Sequence, residues 1–340
     1  MLTAKRIGEY SVSSITIKDV ALAAGVSTAT VSRVLNRTGY VSNQVRLHVE
    51  QVMKGLNYQP NVLARSLKQE KSRTVGIVLP DMTNPYFMGV ARIVQQRLLE
   101  KGYHLIYMDS VEDPEKELEA IQLLQGMRIE ALILAGTGQN AEIVKHLIHS
   151  GTAVVLLDRI IDGVHTDLVV EDNAGAAEEA MGYLLSKYGD RIGIIGGPQH
   201  ISTARERLEG ARKAVALVGI QISETKFYAG DYSRASGIQA CNFFMETEEP
   251  PVAIFSSNNE MTYGFYLGMK ERGLDLDSVE VISFGELDAA PLFSHRLSII
   301  YQNPAQIGEA VAELTLKRLE REGIGREKRI FTPRLEKQFS

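Results

Sequence analysis

The chain of 340 residues holds a single cysteine, Cys241, so no internal disulfide can form. No apolar run approaches the roughly 18 residues of a membrane span, and the N-terminus lacks the compact apolar segment of an export signal. These absences together favour the cytoplasm. Motifs that carry chemistry are missing as well: there is no Walker loop, no HExxH, no zinc-spaced cysteine and histidine set and no nucleophile elbow. The turn at Gly193, Gly196 and Gly197 misses the GxGxxG spacing of a dinucleotide loop, and a strand-to-helix turn accounts for it better. Cys241 falls in an expected helix with nothing beside it to activate a thiolate, so it reads as a packing residue. No enzyme class, cofactor or metal is indicated. With 44% hydrophobic and 23% charged residues the chain is soluble and globular, and its length suits two or three domains.

What is present is unevenly placed. Through Arg73 the chain carries eleven Lys and Arg against four Asp and Glu, a balance of +7, whereas the remainder holds 26 against 38, a balance of -12. The basic end has the sign that displaces counterions from phosphates. Residues 15–36 of that end, ITIKDVALAAGVSTATVSRVLN, predict two short helices joined by a glycine turn. Thr16 and Asp19 form the start of a capping box, Gly25 supplies the turn, and Ser27 caps the second helix. There Val31, Val34 and Leu35 share an apolar face while Thr28, Ala29, Ser32 and Arg33 point outward. This is the helix-turn-helix pattern, and an ordinary helical hairpin shares its spacing. Ser42 caps a third helix whose Val45, Val49, Val52 and Met53 close a small core with Val20, Val31 and Val34. Residues 1–14 show no period and read as an arm. Pro60 and Asn61 open a segment too short to be a stable helix alone, followed by a polar run to Arg73. It is either a linker or a hinge helix that forms when two copies meet on DNA.

From Thr74 short apolar runs alternate with amphipathic segments. Strands are expected at 75–79, 104–108, 132–135, 154–157, 192–195, 252–255, 281–284 and 299–301. The pattern predicts parallel sheets covered by helices on both faces, and the length of this body suggests two lobes. Ligands of such sheets bind beyond the carboxyl ends of the strands. That rule selects Asn84, Tyr86 and Phe87 after the first strand, Asp109 and Ser110 after the second, and Asp158 and Arg159 after the fourth. It also selects Arg205 in a later helix, Asn258, and Gln302. Aromatic rings beside Asp, Asn and Arg suit a polyhydroxylated ligand. Asp109 and Asp158 read equally as caps of the next helices, and Arg205 as a partner of Glu206 or Glu209.

The stretches IKDVALAAGVSTATVSRVLN, NYQPNVLARSL, VGIVLPDMTNPYF and SNNEM, in this order, resemble the LacI/GalR family of bacterial transcription regulators from Thr16 to the C-terminus. The resemblance implies an α/β protein with an all-α helix-turn-helix headpiece (1–59), a hinge (60–73), and a two-lobed core like a periplasmic sugar-binding protein. Its lobes would comprise 74–171 with 303–331, and 172–302 with 332–340. It implies a homodimer on a double-stranded, pseudo-palindromic operator, a small-molecule effector (a sugar, sugar acid or sugar phosphate) and, in some members, a protein corepressor on the N-terminal lobe. By the same resemblance Thr28 and Ala29 contact base edges and Arg33 a base or phosphate, with Thr16, Ser27, Thr30, Ser32, Asn36 and Tyr58 supporting the DNA surface. Thr28 also reads as a second capping residue. Leu67 would wedge between base pairs of the minor groove beside Asn61, Ala64 and Arg65.

Two positions depart from the family pattern. Gly285 stands where sugar-binding members usually carry Asp, with Glu286 after it as a substitute carboxylate, and the usual Asn-Asp pair is Asn258-Asn259. Losing one carboxylate while keeping Arg159 and Arg205 predicts a pocket less hostile to an anion. A secreted binding protein would need an export signal, and an enzyme would need a motif the chain lacks. The sequence leaves open whether a ligand induces or corepresses.

Overall fold

The computed structural model describes residues 15–36, 38–58, 72–220, 226–287, 296–321 and 325–337. The chain divides into two compact units, Met1–Ser72 and Arg73–Ser340.

In the first unit, α1 (Ile17–Ala23), α2 (Thr28–Asn36) and α3 (Asn43–Gly55) meet on fully buried Val20, Val31 and Val49. Each helix starts where its sequence supplies a cap. Asp19 accepts from the backbone N-H of Thr16 at 2.8 Å and from its hydroxyl at 2.7 Å, which holds the Asp19 carboxyl below its ordinary pKa. The Ser27 hydroxyl oxygen accepts from Thr30 N at 3.1 Å, and that of Ser42 from Val45 N at 3.4 Å. Gly25 ends α1 with φ +64°, a left-handed conformation that glycine adopts without a Cβ penalty.

The second unit contains two six-stranded sheets. The first carries β1 (Thr74–Leu79), β2 (His104–Asp109), β3 (Ala131–Leu134), β4 (Ala153–Leu157), β5 (Asp167–Glu171) and β11 (Lys328–Phe331), in the order β11-β5-β4-β3-β1-β2. The second carries β6 (Ile192–Gly196), β7 (Phe227–Ala229), β8 (Ala253–Ser256), β9 (Glu280–Phe284), β10 (Leu297–Tyr301) and β12 (Arg334–Glu336), in the order β12-β10-β9-β8-β6-β7. The pairings are parallel except β10 with β12.

Alternate residues of each buried strand feed separate cores, as a pleat requires. On one face of the first sheet, Val75, Ile77 and Leu79 pack against α4 (Pro85–Glu100) and α11 (Pro304–Leu319). On the other, Val78, Leu132 and Leu134 meet α5 (Pro114–Gly126) and α6 (Ala141–His149). The second sheet is covered by α7 (Asn173–Tyr188) and α8 (Ser202–Leu217) on one side and by α9 (Arg234–Met245) and α10 (Asn259–Glu271) on the other. The chain leaves the first sheet after Glu171, returns after Tyr301, and passes once more between β11 and β12. Strands β5, β7, β11 and β12 were not anticipated from the sequence. β7 and β12 span three residues each, β11 is an edge strand with exposed Lys328 and Ile330, and β5 is bracketed by Asp167 and Glu171.

Candidate functional site

The exposed face of the first unit is built by α2. Thr28, Ala29 and Arg33 are exposed, while Val31 and Val34 on the opposite face are buried. Ser27 and Thr30 are tied together, their hydroxyls 2.9 Å apart, so the helix start is fixed before anything touches it. One turn on, Asn36 Nδ2 donates to Ser32 Oγ at 3.2 Å. Tyr58 packs half-buried against the helical core, and Thr16 is exposed at the start of α1. Asn61, Ala64, Arg65 and Leu67 lie outside the described residues.

In the second unit a cavity of about 60 Å³ lies at the carboxyl ends of the strands, lined from both sheets. From the first sheet come Asn84, Tyr86, Phe87, Asp158 and Arg159, and from the second Arg207, Tyr232, Asn258 and Phe284. The strand-end rule explains their convergence: β1 runs into the N-cap Asn84 of α4, β4 into Asp158, and β8 into the N-cap Asn258 of α10. Asn84 and Asn259 join the two rims by a reciprocal amide pair at 3.1 and 3.3 Å. Ile160 N donates to Ser202 Oγ at 2.8 Å on another part of the rim.

Arg207 is held most firmly. Its Nε donates to Asn173 Oδ1 and its Nη1 to the Ser257 carbonyl, both at 2.8 Å, and the guanidinium lies 3.6 Å from the centroid of the Phe284 ring. A planar cation so fixed presents one ordered edge, the geometry that suits hydroxyl or carboxylate oxygens. Tyr86 and Phe87 meet edge to face at 5.1 Å, giving apolar walls on which C-H faces can rest.

The second arginine of the cavity, Arg159, is met by carboxylates. Arg159 is forked to Glu112, Nη1 to Oε2 at 2.7 Å and Nη2 to Oε1 at 2.6 Å, with Asp158 3.5 Å from Nε. Burial opposes the charge of Arg159, yet Glu112 and Asp158 outweigh it and raise its pKa above the ordinary value. Burial likewise raises the Asp158 carboxyl, against the pull of Arg159 and Arg207. Glu171, which accepts from Gln302 Nε2 and lies 3.5 Å from the Tyr86 hydroxyl, is pushed up to about 7 by burial, with Asp158 adding and Gln302 and Arg207 opposing.

Of the core residues selected from sequence, Asn84, Tyr86, Phe87, Asp158, Arg159, Asn258 and Gln302 line the cavity. The others lie elsewhere. Asp109 caps its own turn, accepting from Val111 N at 3.0 Å and Met82 N at 3.3 Å, and Ser110 donates to the Leu79 carbonyl. Arg205 is half-exposed on α8, donates to the His200 carbonyl and pairs with Asp162 rather than Glu206 or Glu209. Glu286 is exposed, its carbonyl accepting from Asn259. Gly285 adopts φ +90°, and a Cβ there would stand 3.1 Å from Gln302 Oε1, so glycine admits the close approach of Gln302.

Sequence reasoning passed over Arg207, Tyr232, Glu112 and Glu171, and noted Asn259 only as a departure from the family pattern. For Arg207 a signal existed: it shares a helical face with buried Ala204, Leu208 and Ala211, whereas Arg205 is rotated about 200° away. Among the described residues no group of His, Cys, Asp and Glu could hold a metal, and no helix is long and apolar enough to cross a membrane.

The family model described as periplasmic binding proteins and sugar binding domain of LacI family matches residues 72–334, and that of bacterial regulatory proteins, lacI family, matches residues 16–61. The chain is 31% identical over 323 residues to the HTH-type transcriptional repressor PurR of Photobacterium profundum, spanning 93% of this chain and 95% of that one. It is 30% identical over 322 residues to the ribose operon repressor of Escherichia coli, spanning 94% and 97%. A solved LacI family transcriptional regulator from Silicibacter pomeroyi, 26% identical, superposes with a TM-score of 0.81 over 95% of this chain and 98% of its own. With both of its units matched, the chain belongs to the LacI family of bacterial regulatory proteins.

Proposed function

We propose that this chain is a transcription repressor that binds a pseudo-palindromic operator as a homodimer, and that a small polyhydroxylated effector in the core cavity sets its affinity for DNA. Thr28 and Ala29 touch base edges from the exposed start of α2, and Arg33 reaches a guanine or a phosphate. The first unit is the headpiece to residue 59, residues 60–73 are the hinge, and the lobes are 74–171 with 303–331 and 172–302 with 332–340. Leu67 acts from the hinge in the minor groove, and Leu67→Ala weakens operator binding by about tenfold or more.

The observation that carries the effector reading is the immobilised, buried Arg207 stacked on Phe284 at the cavity. Asp158 and Asn258 supply acceptors and donors around it. A cavity of about 60 Å³ is several times smaller than an ordinary ligand pocket, so a sugar-sized ligand enters as the rims part and the Asn84–Asn259 pair yields. A ligand that prefers one rim spacing shifts the population of lobe arrangements by its differential affinity. Arg159 already faces Glu112 and Asp158, which favours a neutral ligand over the anion expected from sequence. The relative named ribose operon repressor makes ribose a natural first compound to test. The experiment is operator selection from random duplexes, followed by fluorescence anisotropy with a panel of neutral sugars, sugar acids and sugar phosphates. An operator affinity that falls steeply with salt and changes with a neutral sugar supports the reading. Salt-insensitive binding, or indifference to the whole panel, contradicts it.

A further inference from the structure

Glu112 has no place in the effector reading so far, yet it makes the best-formed ion pair in the cavity. Its two oxygens occupy both terminal nitrogens of Arg159, whose side chain is 3% exposed, and both residues line the cavity. The backbone that delivers it is strained. Val111 and Glu112 are consecutive left-handed residues, with φ 50° and 55°, and a β-branched side chain is rarely found there. The bend is clamped at each step: Val111 N donates to Asp109, Glu112 N to the Pro80 carbonyl at 3.0 Å, and Asp113 N to the Ser110 carbonyl at 2.9 Å. Asp158, beside Arg159, is also left-handed at φ 66°. Three such residues converge on one ion pair, a concentration of strain that a surface salt bridge does not require.

We propose that Glu112 is a built-in counter-ligand: by occupying Arg159 it excludes anionic effectors and restricts the cavity to neutral polyhydroxylated ones. This rests on the effector reading and deepens it. An incoming carboxylate or phosphate meets an Arg159 already bound twice by Glu112 and flanked by Asp158. The other buried cation, Arg207, has Nε and Nη1 already engaged by Asn173 and the Ser257 carbonyl and its face on Phe284. At Arg159 an anion therefore gains little and is repelled by Glu112 and Asp158. Removing the Glu112 carboxylate leaves a buried guanidinium with an empty fork and room for an oxyanion.

Inorganic phosphate is the probe. Thermal unfolding of the core in the full-length chain is followed in phosphate and in chloride at matched ionic strength, for the wild type, Glu112→Ala, Glu112→Gln and the double variant Glu112→Ala/Arg159→Met. Glu112→Ala is expected to melt lower than the wild type in chloride and to recover in phosphate, with an apparent phosphate affinity about tenfold or more above that of the wild type. The double variant loses this gain, which separates it from general salt effects and from phosphate on the basic headpiece. Glu112→Gln keeps the side-chain volume and provides the same comparison should the alanine variant not fold. A wild type stabilised by phosphate as strongly as the variants, or variants that gain nothing, overturns the proposal. The neutral-sugar response of operator binding is scored separately. If it persists while the Glu112 variants gain nothing, the counter-ligand falls and the effector reading stands.

Discussion

Arg205 and Arg207 differ by two positions on one helix and by almost everything that matters for function. The first is half-exposed and paired with Asp162, the second is 5% exposed and bound on two sides. Arg207→Ala is therefore expected to abolish the effect of any cavity ligand on operator affinity, whereas Arg205→Ala leaves it within about twofold, both read by anisotropy. Glu171 makes a second residue-scale prediction. Its ordinary value is 4.5 and in the fold it lies near 7, so the folded state holds the proton more tightly than the unfolded chain. That contribution to stability is full below about pH 4.5 and is lost as pH rises through about 7. Glu171→Gln cannot ionise, so in chemical denaturation it matches the wild type near pH 4.5 and exceeds it by on the order of 3 kcal/mol near pH 8. The residues following β1, β4, β8 and β10 were readable because topology puts them at the cavity, whereas Asp109, Ser110 and Glu286, also at strand ends, lie elsewhere. Glu112 and Glu171 were not, because their importance lies in a bent loop and in burial, which no spacing encodes.

Among elements, the headpiece helices were the most legible. Their caps, glycine turn and apolar faces are local features, and local chemistry is what a sequence states directly. Ser27→Ala removes the acceptor for Thr30 N, and about 1 kcal/mol of headpiece stability should go with it, measured by thermal unfolding of the first unit's transition. The buried strands of the two sheets were legible as continuous apolar runs. The strands that escaped are short or at an edge, where pairing with a distant neighbour decides the conformation. β5 is the instructive case: Asp167 is buried because Arg318 and the Glu327 amide bind it, contacts more than 150 residues away in sequence. A carboxylate at a strand end looks like a turn until its partners are known.

For the whole molecule, the charge contrast between the basic end and the acidic body sets the sign of the partner, and the paired sheets set a place for a second, smaller one. The two departures seen in the sequence take on different meanings in the fold. Asn259 binds Asn84 across the cavity, and Gly285 makes room for Gln302. Neither makes an anion site, and the cation expected to do so is occupied by Glu112. The central claim is that occupancy of this cavity alters how the headpiece holds DNA. It is tested most directly by operator anisotropy with and without neutral sugars, each protein referred to its own ligand-free affinity, for the wild type and Arg207→Ala. At least one neutral sugar is expected to shift the wild-type affinity by about tenfold or more and to leave Arg207→Ala unmoved. A shift that survives in Arg207→Ala, or no shift from any neutral sugar, would contradict the claim.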